Sequence, residues 1–225
     1  MRQLDKAITS LHHELAVMSG YIERSINNMT DVLFSRDPQL IEVVLSDDDL
    51  IDHAEKHIEQ MCTCIIARHT PAAQDLREIT AVFKIITDLE RIGDHCSDIV
   101  MLVRDLGDEP YMKELVQIPE MMRSVKSMVK DSIDSYIMRD TSLAKEVYER
   151  DDYVDAIYKG IKEELIAIME KDPSTVRQGL QLLLMAKYLE RMADHATNVC
   201  EWIIYNVTGS RPKGDEDDDC CASME

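Results

Sequence analysis

The sequence repeats itself with a period of about 100 residues, which limits the chain to an architecture built from two copies of one unit. DLERIGDHCSDI at 88–99 and YLERMADHATNV at 188–199 share Leu, Glu, Arg, Asp and His at an offset of 100. Upstream the offset is 103. There Asp48, Asp49 and Asp52 correspond to Asp151, Asp152 and Asp155, and Lys56 and Ile58 to Lys159 and Ile161. At the same offset Asp31, Arg36, Asp37 and Leu40 correspond to Asp134, Arg139, Asp140 and Leu143. The offset changes between Ile58 and Arg77, where a connecting loop absorbs a three-residue difference.

Each copy reads as three helices. With 45% hydrophobic and 31% charged residues but only 7 Gly, 6 Pro, two Phe and one Trp, the composition suits long helices and lacks the turn residues of a sandwich or doubly wound fold. Asp37-Pro38, Thr70-Pro71 and Asp172-Pro173 each read as an N-cap followed by proline at the first helical position. Gly107 and Gly209 read as the ends of the two final helices. Rods are expected near 3–35, 38–68, 72–106, 111–139, 141–170 and 174–208. Ile79, Val82, Phe83, Ile86 and Leu89 form an apolar stripe at helical spacing in the third, as do Leu180, Leu183, Leu184 and Met185 in the sixth. Short loops between such rods imply antiparallel packing. The expected fold is therefore all-α, a tandem repeat of two antiparallel three-helix bundles. Residues 1–107 and 108–208 form the two repeats, and 209–225 form an acidic, disordered tail.

The formal charge of −19 argues against nucleic-acid binding, which begins with Lys and Arg neutralising phosphates. The tail accounts for part of it, leaving −15 on the body, enough to call for cations. No apolar run approaches the roughly 20 residues needed to span a bilayer, and MRQLDKAITSLHHEL lacks the layout of a signal peptide, so the chain is expected in the cytoplasm. In that compartment the six cysteines, Cys62, Cys64, Cys96, Cys200, Cys220 and Cys221, are expected as inert thiols.

Four segments carry an acid, three residues, then Asp: Asp48 to Asp52, Glu90 to Asp94, Asp151 to Asp155, and Glu190 to Asp194. Four residues turn a helix about 400°, so each pair stacks on one face a single turn apart. Like charges at this spacing repel, and a bound metal would compensate. Both the second and the third helix carry their pair in both halves, which points to metal binding. Glu90 and Asp94 are expected at the rim between helices, facing Asp48 and Asp52. Carboxylate oxygens suit Fe, Mn, Mg or Zn. Asp98, whose counterpart is Asn198, and Glu55, replaced by Tyr158, are second-line candidates. For His95 and His195, packing or a supporting hydrogen bond is favoured over direct ligation. Arg91, Arg191, Arg77 and Arg177 are placed to pair with acids of adjacent helices.

The segment AAQDLREITAVFKIITDLERIGDH and its echo QGLQLLLMAKYLERMADH closely resemble the PhoU family of phosphate-uptake regulators, over residues 1 to about 208. The resemblance implies multinuclear iron or zinc bound by the repeated acid-to-Asp motif, here Asp48, Asp52, Glu90, Asp94, Asp151, Asp155, Glu190 and Asp194. It also implies a negative regulator of the phosphate regulon, signalling between the ATPase subunit of a phosphate ABC transporter and a phosphate-sensing histidine kinase. Homodimers or larger oligomers are expected, with the membrane reached only through protein partners. The second repeat departs from the first at Tyr188, which replaces Asp88, and at Asn198, so equal occupancy of the two sites does not follow. An accessory of a low-affinity phosphate carrier and a metal-free helical scaffold are the alternatives. A di-iron oxidase would use Glu-x-x-His steps, and the sequence contains none. No enzymatic activity is expected.

Overall fold

The structure is a computed structural model and describes residues 3–107, 110–112 and 117–210. Its helices are α1 (Gln3–Ser35), α2 (Pro38–His69), α3 (Ala73–Leu106), α4 (Gln117–Met138), α5 (Thr141–Glu149), α6 (Asp151–Lys171) and α7 (Val176–Thr208). A short 3₁₀ turn, Pro173–Thr175, leads into α7. α1, α2 and α3 pack on one another, α4, α5/α6 and α7 do the same, and the two bundles meet along α3 and α7. The fold is all-α, a tandem pair of antiparallel three-helix bundles. The acidic tail with Cys220 and Cys221 lies, from residue 211 on, outside the described residues.

The Asp37 cap recurs in the second repeat as Asp140, and Asp172 adds a third without a counterpart. Asp37 accepts from Gln39 N at 2.8 Å, Asp140 from Ser142 N at 2.9 Å, and Asp172 from Ser174 N at 3.0 Å. Arg36 (φ 53°) and Arg139 (φ 54°) both take the left-handed conformation just before their capping Asp, a costly choice for a residue with a Cβ and one made identically in both halves. Gly107 and Gly209, also at positive φ, terminate α3 and α7.

Four local expectations are corrected. Thr70 does not cap α3: it ends α2 at φ 45°, and α3 starts at Ala73 with no side-chain cap. Tyr111 and Met112 lie outside any helix, so the fourth rod does not start at 111, and its described part is Gln117–Met138. Leu180 and Leu184 are exposed, while Leu182, Met185, Ala186 and Leu189 face the core. That stretch is apolar on every side, so packing against α3 selects the face.

The fifth rod is interrupted at Arg150, where the Arg150 N–H bonds to Val147 O at 3.1 Å and tightens the turn. Arg150 spans to α4, donating to Ser127 Oγ at 2.9 Å and Asp131 Oδ2 at 2.7 Å. At the 103-residue offset Arg150 corresponds to Asp47, which is 2% exposed and pairs with Arg24 of α1 through Nε at 3.1 and 3.0 Å. Both bundles thus tie their first rod to their second, just before the first acid of the pair, with the polarity reversed. Among the described residues no helix is long and apolar enough to cross a membrane.

Candidate metal centre

Helices α2 and α3 bring the first-repeat acids together. One ligand atom each from Asp52, Glu90 and Asp94 lies within 4.8 Å of the others, the one such trio of His, Cys, Asp or Glu among the described residues. Asp48, one turn from Asp52, senses the Asp94 charge directly. Close approach of the two helices depends on Gly93, where a Cβ would meet Ile51 Cδ1 at 2.9 Å and Asp48 Oδ1 at 3.5 Å.

These carboxylates lack full compensation. Burial, and then the Asp94 charge, push Glu90 up to about 7. Burial, and then Asp94, push Asp48 up to about 6; the Ser97 hydroxyl pulls the other way, although neither Asp48 Oδ1 nor Ser97 Oγ completes a hydrogen bond. Glu90 Oε2 is buried without a hydrogen bond, with Arg91 Nε 3.4 Å away. Buried acceptors of this kind are seldom left unmatched. Existing cations sit at the rim: Lys56 meets Asp52 at 3.0 Å and Arg91 meets Asp94 at 3.0 Å, both side chains more than half exposed. Four acid side chains around one spot, two of them pushed up towards neutrality, fit a hard or borderline cation that would compete with protons for them.

The second-repeat acids gather on α6 and α7, but more loosely. Burial, then Asp194 and Asp155, push Asp151 up to about 6, and burial with Glu190 raises Asp194. Lys187 binds both carboxylate oxygens of Glu190, and Lys159 lies 3.9 Å from Asp155.

The motif histidines serve the α3–α7 face. His95 is buried, stacks on Tyr188 with ring centroids 5.2 Å apart, and lies 3.4 Å from Asp98. Burial holds it below the usual histidine value. His195 Nδ1 meets Asp88 Oδ1 at 2.9 Å, and Asn198 donates to the same oxygen at 3.1 Å. The departures at Tyr188 and Asn198 therefore serve the joint between repeats. Arg91 pairs with acids of its own helix, not of a neighbour. Cys62, Cys96 and Cys200 are buried free thiols, raised to about 12 by burial; Cys64 is exposed and free.

A family model described as the PhoU domain matches twice, over residues 15–103 and 118–203. The chain belongs to the PhoU family. A phosphate-specific transport system accessory protein PhoU homolog from Clostridium acetobutylicum is 43% identical over 205 residues, 91% of this chain and 94% of that one. The phosphate-specific transport system accessory protein PhoU of Escherichia coli is 30% identical over 207 residues, 92% and 86% of the two chains. The crystal structure of PhoU from Pseudomonas aeruginosa matches with a TM-score of 0.90 at 32% identity, covering 92% of this chain and all of that one.

Within the two PhoU domains, three contributors escape the acid-to-Asp motif: Gly93, Lys187 and Thr87. Lys187 precedes Glu190 by three residues, a spacing that places it on the same helix face and was its one available signal.

Proposed function

We propose that the chain is an accessory protein of a phosphate-specific transport system that binds metal ions through its surface acids and regulates phosphate uptake. The observation that carries the metal reading is the Asp52, Glu90 and Asp94 trio, with buried oxygens on Glu90 and Asp48 that make no hydrogen bond. Asp48, Asp52, Glu90 and Asp94 would hold the first site, and Asp151, Asp155, Glu190 and Asp194 the second. Iron or zinc is the first choice, with manganese and magnesium also suited to carboxylate oxygens. Family membership and the names of the relatives support the regulatory half. We place the chain between the transporter's ATPase subunit and a phosphate-sensing histidine kinase as a negative regulator of the phosphate regulon, working in the cytoplasm as a homodimer or larger oligomer. No catalytic residue is assigned.

Elemental analysis of the protein purified without added metal or chelator tests the metal reading. At least one transition-metal ion per chain is expected, falling below a tenth of that when Asp52, Asp94, Asp155 and Asp194 are all replaced by Asn. Equal and negligible content in both proteins would leave a metal-free scaffold. Pull-down of the transporter ATPase subunit by the full chain tests the partner, and absence of binding with and without metal would refute it.

A further inference from the structure

We propose that Lys187 is a built-in counter-ion for the second-repeat carboxylates, so that a divalent cation fills the first-repeat site in preference and enters the second only by displacing the lysine ammonium. The inference rests on the metal reading above and adds to it which site is filled.

Its basis is a two-position exchange on facing helices. At the 100-residue offset Lys187 of α7 corresponds to Thr87 of α3, and at the 103-residue offset Tyr158 of α6 corresponds to Glu55 of α2. In the first repeat Thr87 Oγ1 donates to Glu55 Oε1 at 3.5 Å, and Glu55 adds negative charge beside Glu90. In the second repeat the anion is gone and a cation has arrived. Lys187 Nζ binds both oxygens of Glu190 and sits 5.3 Å from the centroid of the Tyr158 ring, which holds it by cation–π attraction. Its side chain is 36% exposed, against 62% for Lys56, 54% for Arg91 and 72% for Lys159, so it is the best held of the four cations that touch these acids. A tethered ammonium is present at high effective concentration whatever the metal concentration, and it repels an incoming dication at short range. Among the described residues the first repeat alone gathers a close trio of acids.

The test is calorimetric titration of the full chain with Mn²⁺, made site by site. Asp52→Asn/Asp94→Asn silences the first site, and Asp155→Asn/Asp194→Asn silences the second. In the chain with Lys187 intact, silencing the first site should weaken Mn²⁺ binding at least tenfold, and silencing the second should change it less than twofold. Adding Lys187→Thr to the first-site-silenced chain should tighten its remaining binding at least tenfold. Thr87→Lys should weaken the first site by a similar factor. Equal losses on silencing either site, or unchanged second-site affinity in Lys187→Thr, would overturn the counter-ion role while leaving the metal reading intact. Absence of Mn²⁺ binding in every variant would overturn both.

Discussion

Ile51 lies directly over Gly93. A Cβ on the glycine would come within 2.9 Å of Ile51 Cδ1 and 3.2 Å of its Cγ2, and the corresponding residues of the second repeat are Val154 and Ala193, both fully buried. One methyl group has moved from α2 to α3 between the repeats, with the total conserved. Gly93→Ala gains about 1 kcal/mol of helix propensity but forces the β-branched Ile51 and its helix outward. Thermal stability should change little while Mn²⁺ affinity falls several-fold. Ile51→Val added to it should restore the affinity, as titration of the single and double variants would reveal.

Glu90 is the acid for which the metal-free fold is least suited. Neutralising it by Glu90→Gln removes a half-buried charge, so the metal-free protein should melt a few degrees higher, while Mn²⁺ binding weakens at least tenfold. Opposite signs in two assays on one variant distinguish a ligand from a structural residue. A lower melting temperature together with unchanged affinity would contradict the assignment.

Stability of the metal-free protein should depend on pH in a definite direction. Glu90, Asp48 and Asp151 titrate near 7, 6 and 6 in the folded chain, above their unfolded values of about 4, so the folded state binds more protons between those limits. Their contribution grows as pH falls from 8 towards 5 and is lost as pH rises through 7. His95, lowered by burial, opposes this below about 6.5, the usual histidine value. The cleanest window is therefore pH 8 to 6.5, over which the melting temperature should rise by about 3 °C. Bound metal, which competes with the same protons, should abolish or reverse the trend. Glu78, lowered by His12 and Arg139, adds stability that disappears only at more acidic pH.

The Arg24–Asp47 pair joins α1 to α2 with one partner buried and the other half exposed. Arg24→Met leaves the Asp47 carboxylate buried without its cation and should cost about 2 kcal/mol, less than a fully buried pair because solvent screens part of the charge. Arg24→Met/Asp47→Leu should recover most of that loss in denaturant unfolding. Failure to recover would mean that the pair contributes more than the removal of an unpaired charge explains.

The repeat, the acid pairs and the aspartate caps were legible because each is a local pattern at helical spacing: Asp37 before Pro38, Asp48 one turn from Asp52. Gly93 was not, since its role depends on the distance between two helices, which no spacing within one helix encodes. Lys187 stands outside the motif, and its contact with Tyr158 of another helix is not encoded in any spacing along α7. The bend at Arg150 carries neither proline nor glycine, and its partners Ser127 and Asp131 belong to another helix. The face of α7 was ambiguous because Leu182, Leu183 and Leu184 occupy every side.

The reversed polarity of the two inter-rod ion pairs bears on how a twice-written chain avoids assembling from the wrong halves. Tandem copies invite exchange, with α1 of one half accepting the second rod of the other. Such a swap would set Arg24 against Arg150 and leave Asp131 facing buried Asp47, like charge on like charge. Correct partnering is thus written into sign as well as shape, and the halves stay alike in outline while remaining chemically non-interchangeable.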